Sequence, residues 1–128
     1  KLENKIKFLN YVNIDSKKII LSLDLLVSLT KTYEGFGLSV AEAMSVGTSI
    51  LATNVGGINE FFNNECGKLI EPEKIDDIKN SLVDFCEKKD SWDRKANFAK
   101  NKIEKYFNAD IMGNNYMNHF DSQLTKIK

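Results

Sequence analysis

The sequence predicts an α/β fold in which helices cover both faces of a parallel β-sheet. Short apolar runs of strand length alternate along the chain with segments whose apolar residues recur at helical spacing. Proline, which interrupts both kinds of element, occurs once, at Pro72. A chain of 128 residues is long enough for one domain with its own hydrophobic core.

Four strands are predicted. The first covers residues 5–12, and the second, over residues 24–29, is an apolar run typical of a parallel strand buried on both faces. The third covers Ser49–Thr53 and the fourth residues 67–70. We expect Pro72 to end the fourth strand, because proline has no N–H to donate to a sheet ladder.

Helices are predicted between and after the strands. Their ranges are residues 16–23, capped by Asp15 or Ser16, then Leu38–Val46, residues 58–62, Ile75–Glu87, residues 91–107 and residues 109–124. Gly47 is expected to end the second helix and Ser91 to cap the fifth. We expect the last helix to be interrupted or weakened near Gly113, and we expect the final forty residues to form amphipathic helices that cover the core.

Composition argues against several classes of function. Eighteen basic and eighteen acidic residues give zero formal net charge, which argues against general binding to nucleic acid or anionic membranes. Apart from Arg94 every basic residue is lysine, so the chain has almost no guanidinium groups with which to contact DNA bases.

The sequence also lacks the signals of a zinc site and of a membrane span. Cys66, Cys86 and His119 do not form a zinc-type ligand set, and two reduced thiols in a cytosolic protein are favoured over a disulfide. No apolar run approaches the roughly 20 residues of a membrane span, and no signal peptide is recognised.

Residues 33–44 are the most informative stretch, because they join a predicted strand to the start of a predicted helix. Gly35 and Gly37 fall at the carboxyl end of the strand, where open α/β sheets bind their ligands. A helix that begins near Gly37 or Leu38 presents unpaired amides, and its dipole favours negative charge. The stretch therefore predicts a site for a diphosphate held by backbone amides, which the two glycines allow to approach closely.

Two glutamates flank this predicted helix start. Glu42 lies about one turn into the helix, and because helical Cα–Cβ bonds tilt toward the amino end, its carboxylate can lean back to accept from ribose hydroxyls. Glu34 lies in the preceding loop, where it can reach the other end of the ligand. An ordinary loop glutamate at Glu34, and a capping or salt-bridging role for Glu42, remain alternatives.

The other candidate residues serve mainly through their backbone. Phe36 is interpreted as a packing residue, whereas Leu38 and Ser39 contribute amides and, for Ser39, a hydroxyl. Gly56 and Gly57 follow the third strand and are expected to line the same cleft, although glycines of this kind also occur in any tight turn.

These motifs, taken in order, resemble a known family. The succession Glu34-Gly35-Phe36-Gly37-Leu38, Glu42-Ala43-Met44, Gly47, Gly56-Gly57-Ile58 with Glu60, and Gly67-Lys68-Leu69-Ile70 is similar to the donor-binding domain of retaining GT-B glycosyltransferases of the glycosyltransferase 4 class. The hallmark is a pair of glutamates separated by seven residues, matched by Glu34 and Glu42. The resemblance implies a Rossmann-like sheet that forms the C-terminal part of a GT-B domain.

The resemblance also implies roles for the site residues. Glu34 would face the transferred sugar and stabilise positive charge at the anomeric carbon, and Glu42 would hold the nucleotide ribose. The implied reaction is retaining transfer from a nucleotide-diphosphate sugar, with UDP as the expected nucleotide, in cell-surface polysaccharide or glycolipid synthesis. Because the sequence offers no DxD-type pair, we expect metal independence and no cofactor. The expected location is the cytoplasm, with the inner face of the membrane as an alternative for the full-length protein.

Departures from the family pattern limit what this chain is expected to do alone. Proline is usual at three turns of the family, which here read Leu29-Thr30-Lys31, Thr48-Ser49 and Ile58-Asn59-Glu60. Residues 1–128 are interpreted as a single partial donor-binding domain, without the N-terminal acceptor domain, through which a sugar or lipid-linked acceptor would bind, and without the first strands. We therefore expect the chain alone to be inactive. A GT-B-like epimerase or phosphorylase, or a non-catalytic binding module, remains an alternative.

Overall fold

The computed structural model describes residues 2–11 and 13–126, with the backbone alone for Lys126. A single 3₁₀ turn covers Glu3–Lys5. The remaining elements are α1 (Ser16–Leu21), β1 (Leu25–Ser28), α2 (Leu38–Val46), β2 (Ser49–Thr53), α3 (Ile58–Phe61), β3 (Lys68–Ile70), α4 (Ile75–Glu87), α5 (Lys89–Tyr106) and α6 (Ala109–Lys126). Strands thus alternate with helices up to β3, and three helices follow in succession.

The sheet is parallel throughout, in the order β1-β2-β3. Leu26 pairs with Ile50 on one side of the central strand, and Ala52 pairs with Leu69 on the other. All residues of β2 are buried, which is what a near-continuous apolar strand requires when helices cover both faces. The predicted fold class is therefore confirmed.

Two apolar clusters lie on the two faces of this sheet. The larger contains Ile50 and Ala52 of β2 together with side chains from α1, α2, α3 and the second half of α5. The smaller contains Leu51 of β2, Ile70 of β3 and Trp92 of α5, with partly buried side chains from α4 packed against it. Successive residues of β2 therefore point into different clusters, as the two-residue period of a strand demands.

Local capping signals fix the helices that position the loops. The Asp15 carboxylate accepts from the Lys17 amide at 3.0 Å and so caps α1, as one of the two predicted alternatives. Gly47 ends α2 in a left-handed conformation, with φ of 79°, and its amide donates to Ala43 and Met44. The bounds predicted for α2, β2 and α4 are those observed.

The strand predicted over residues 5–12 is wrong for the described residues, and Val12 lies outside them. The Glu3–Lys5 turn overlaps its start, and residues 6–11 adopt no regular structure. Their apolar side chains are exposed, Phe8 by 90% and Tyr11 by 92%. A strand needs a ladder partner, and in the described part of the chain the sheet contains β1, β2 and β3 alone.

Three expectations about the last helices are wrong in whole or in part. α5 begins at Lys89, and Ser91 is its third residue rather than its cap. α6 continues through Gly113 without the interruption that was one of the two alternatives, because a single helical glycine costs only about 1 kcal/mol.

The expectation that the last helices cover the core is confirmed for α5 and wrong for α6. α5 buries Trp92, Ala96, Ala99 and Ile103. On α6, in contrast, Met112, Tyr116, Phe120 and Leu124 are each more than half exposed. Among the helices in the described ranges, none combines the length and apolarity that a bilayer crossing requires.

Candidate functional site

The loop between β1 and α2 carries the predicted motif and leaves the carboxyl end of β1. Ser28 ends that strand, and α2 begins at Leu38. The Thr53 hydroxyl, at the corresponding end of β2, donates to the Thr30 carbonyl at 2.7 Å. The start of the loop is therefore tied to the neighbouring strand at the edge of the sheet where ligands of α/β folds bind.

Gly56 and Gly57 pack directly against this loop. The Gly57 amide donates to the Glu34 carbonyl at 3.0 Å. A Cβ added at Gly56, whose φ is +53°, would lie 1.9 Å from the Glu34 carbonyl oxygen. One added at Gly57 would lie 2.3 Å from the carbonyl oxygen of Gly35. The structure thus brings both glycines to the loop, and backbone-to-backbone contact is the reason that neither tolerates a side chain.

Gly37 is the N-cap of α2 and has a left-handed conformation, with φ of 89° and ψ of 54°. Within the described residues no side chain caps the helix, and its first turn contains no acidic residue. Leu38 is 70% exposed and Ser39 is also exposed, so the first turn faces solvent. An uncapped helix start leaves backbone N–H groups and the positive end of the dipole free for an anion.

The two glutamates occupy the places that the motif predicted for them. Glu34 lies in the loop, Glu42 is the fifth residue of α2, and both are half-buried. Across residues 2–11 and 13–126 neither carboxylate forms an ion pair or a side-chain hydrogen bond. The salt-bridging alternative for Glu42 therefore finds no partner among the described residues, and both carboxylates are free to accept from a ligand.

Phe36 packs within the protein, as predicted. Its ring stacks on Phe61 of α3, with centroids 4.7 Å apart and planes inclined by 24°. Phe107, which follows α5, lies 6.4 Å from Phe36 and 5.9 Å from Phe61. The Phe36 ring therefore anchors the loop to the body of the protein. Its neighbours Gly35 and Gly37 carry no side chain, and Gly37 provides the left-handed backbone before α2.

An open concavity lies beside the loop rather than within it. It measures about 900 Å³ and is mainly apolar, with Phe36, Phe107, Met112, Tyr116 and His119 among its lining residues. Of the predicted site residues, all of which the structure describes, Phe36 contributes to it. His119 is exposed on α6, in agreement with its interpretation as a surface residue.

A carboxyl group with a perturbed pKa lies away from the loop, between α4 and α5. The Lys88 ammonium donates to Asp84 at 2.6 Å and the Trp92 indole donates to it at 2.9 Å. These two hydrogen bonds hold the pKa of the Asp84 carboxyl below its ordinary value. In the part of the chain that the structure describes, no three His, Cys, Asp or Glu side chains are grouped as they would be to hold a metal.

Sequence reasoning missed the residues that support the loop from a distance. Ile58 packs against Gly37, because a Cβ added at Gly37 would lie 2.8 Å from Cγ1 of Ile58. Phe61 and Phe107 contact the ring of Phe36. Thr53, the last residue of β2, had a local signal, because a hydroxyl at a strand end can bond a neighbouring loop. Phe107 had none, since it is distant in sequence from the residue it contacts.

Comparison with known families agrees with this geometry. Residues 1–105 match the family model described as glycosyl transferases group 1. The chain belongs to this glycosyltransferase family. It is 32% identical to an uncharacterized glycosyltransferase of Methanocaldococcus jannaschii, MJ1607, over 82% of this chain and 31% of that protein. It is also 34% identical to sucrose synthase 5 of Arabidopsis thaliana, over 67% of this chain and 11% of that protein.

Solved structures share the fold of this glycosyltransferase chain. The Anabaena protein Alr3699/HepE in complex with UDP superposes with a TM-score of 0.88 at 24% identity, over 94% of this chain and 33% of that one. The C-terminal domain of the group 1 glycosyl transferase LpcC from Francisella tularensis gives 0.69 at 25% identity, over 80% and 53%. These neighbours have the GT-B fold. The chain spans about a third of the length of MJ1607 and of Alr3699/HepE, and a smaller share of sucrose synthase 5.

Proposed function

We propose that this chain supplies the nucleotide-sugar donor site of a retaining glycosyltransferase. The observation that carries the proposal is the uncapped start of α2 beside the glycine-packed loop, with two carboxylates that bond to no side chain in residues 2–11 and 13–125. Backbone amides there would receive the diphosphate, and Glu42 would accept from the ribose diol. Glu34 would face the transferred sugar at the other end of the donor.

The chemistry would be transfer of a glycosyl unit with retention through an oxocarbenium-like transition state. Glu34 would stabilise the positive charge that develops at the anomeric carbon, and the helix amides would stabilise the leaving diphosphate. UDP is the proposed nucleotide, supported by the Anabaena structures solved with UDP and with UDP-glucose. The names of other relatives, sucrose synthases and mannosyltransferases, support transfer of a hexose.

The wider context of the reaction is also part of the proposal. An acceptor sugar or lipid-linked sugar would bind through the remainder of a longer protein, since MJ1607 and Alr3699/HepE are each about three times as long as this chain. The product would belong to cell-surface polysaccharide or glycolipid synthesis in the cytoplasm, with no metal required. We expect the 128 residues alone to bind donor weakly and to transfer no sugar.

Calorimetric titration with UDP and UDP-glucose tests the assignment of the two glutamates. Glu42→Ala is expected to weaken both ligands about tenfold or more, because hydrogen bonds to a charged group contribute roughly 1.5–3 kcal/mol each. Glu34→Ala is expected to weaken UDP-glucose and leave UDP unchanged, because UDP lacks the sugar that Glu34 would contact. Glu104→Ala, which removes an exposed glutamate on α5, is the matched control.

Parallel titrations with GDP- and ADP-sugars identify the nucleotide. Preference for either over UDP-glucose would correct the base and leave the donor site in place. Absence of binding by all three, in this chain and in the full-length protein, would contradict a donor site and favour a non-catalytic module.

A further inference from the structure

Three phenylalanine rings form a stack at the base of the donor loop. Phe36 and Phe61 are 4.7 Å apart and nearly parallel, and Phe107 is tilted against both, at 6.4 and 5.9 Å. These separations fall in the range of favourable aromatic pairs. Phe61 is 1% exposed, whereas Phe36 and Phe107 are 40% and 45% exposed, so the buried ring lies beneath two that border the solvent.

The backbone at the end of α5 fixes the position of Phe107. Its amide donates to the carbonyl of Ile103 at 2.9 Å, and Ile103 is buried in the larger apolar cluster. The Asn108 side chain donates to the Glu104 carbonyl at 2.8 Å and accepts from the Ile111 amide at 2.9 Å. The junction of α5 and α6 is therefore closed by hydrogen bonds on both sides of the ring.

The donor loop has few other side-chain anchors. Tyr33 is 78% exposed, and the ion pair of Lys31 with Glu73 joins two exposed side chains, a kind of contact that contributes little. Backbone contact holds the loop at Gly57, whose amide donates to the Glu34 carbonyl. Phe36 follows Glu34 by two positions, so the ring stack is the side-chain contact nearest to that glutamate on its carboxyl side.

We propose that Phe107 is a positioning residue: with Phe61 it holds the Phe36 ring and thereby fixes the loop that presents Glu34 to the donor. The importance of this role for catalysis rests on the function proposed above. Phe107 itself touches no donor in this scheme and acts through Phe36. The end of α5 and the donor loop are thereby coupled, although 71 positions separate the two rings in sequence.

Amide hydrogen exchange tests this coupling without any ligand. The reporter is the Gly57 amide, which is protected while the loop stays docked. Phe107→Ala is expected to speed exchange at Gly57 by roughly 2- to 12-fold, the factor that an aromatic pair contributes. Phe98→Ala is the matched control, because Phe98 lies on α5 at 47% exposure and has no ring partner among the described residues.

Two further measurements separate positioning from general destabilisation. Amides of α2 and β2 are expected to exchange at wild-type rates in Phe107→Ala, and Phe107→Tyr is expected to restore protection at Gly57. Unchanged exchange at Gly57 in Phe107→Ala, equal acceleration in Phe98→Ala, or acceleration spread evenly through β2 would overturn the proposal.

A titration of the same variants with UDP-glucose keeps the two proposals distinct. If the wild-type chain and the full-length protein fail to bind, the proposed function fails, while exchange at Gly57 still decides the role of Phe107. If they bind, Phe107→Ala is expected to weaken UDP-glucose in proportion to the docked fraction of the loop that it removes, because the apparent Kd rises as the binding-competent fraction falls. Full affinity together with an undocked loop would overturn the link between loop position and donor binding.

Discussion

Gly57→Ala is the substitution that tests most directly whether the donor loop rests on the turn after β2. The backbone at Gly57 has φ of −76° and ψ of −5°, values that alanine adopts without strain. Its added Cβ would nevertheless lie 2.3 Å from the Gly35 carbonyl oxygen and 3.4 Å from the Phe36 Cα. Any cost of the substitution therefore arises from contact with the loop and not from backbone conformation.

The magnitude follows from this distance. Real Cβ contacts are essentially never shorter than 3.0 Å, so the loop must retreat by at least 0.7 Å, the difference between 3.0 and 2.3 Å. Overpacking of this kind costs about 1–3 kcal/mol. The alanine also lowers the conformational entropy of the unfolded chain, which raises the free energy of unfolding by about 0.4–1 kcal/mol. The difference is a net loss of about 0–2.6 kcal/mol in the free energy of unfolding, with a central value of about 1.3 kcal/mol.

Urea denaturation followed by far-UV circular dichroism measures this loss. Gly113→Ala is the matched control, because an added Cβ there meets nothing within 4 Å in the middle of α6. That variant is expected to gain about 0.5–1 kcal/mol through helix propensity. A Gly57→Ala protein as stable as wild type, with the Gly57 amide still protected from exchange, would refute the close packing of loop and turn.

Two further predictions concern buried polar groups and acid. Ser49→Ala should raise the free energy of unfolding by about 1 kcal/mol, because the buried Ser49 hydroxyl finds no hydrogen-bond partner within the described part of the chain. Thr48→Val should lower it by a similar amount, because it removes the hydrogen bond to the Ile20 carbonyl. Asp84 has a lower pKa in the folded protein than in the unfolded chain, so its carboxylate stabilises the fold at pH values above the unfolded pKa. This stabilisation is lost as the pH falls through the folded pKa. Below about pH 4 the melting temperature should therefore fall more steeply with decreasing pH for wild type than for Asp84→Asn. Parallel plots of melting temperature against pH would exclude this stabilisation by Asp84.

Local signals were sufficient for the elements that carry the site. The left-handed glycines at 37 and 47 bracket α2, and the apolar run from Ser49 has no competing helical period. The glycine pair after β2 was expected near the loop because parallel strands end at the same edge of the sheet. The structure adds the physical requirement, which is that the carbonyls of Glu34 and Gly35 leave no room for a Cβ.

Features that depend on distant partners could not be predicted in this way. Residues 6–11 have apolar residues that suit a strand, but a strand forms only where a neighbour can complete its hydrogen bonds. Of the two alternatives at Gly113, an interrupted or a weakened helix, the interruption is absent because one unfavourable residue costs less than the remaining turns of α6 contribute. The contact of Phe107 with Phe36 is set by where α5 ends after crossing the domain, and nothing near either residue encodes it.

The course of α5 has a consequence for how the domain loses its structure. This helix supplies Trp92 to the apolar cluster on one face of the sheet and Ala99 and Ile103 to the cluster on the other. One continuous helix thus contributes side chains to both clusters, so complete unfolding of α5 removes support from each. We expect the two layers to melt in one concerted transition.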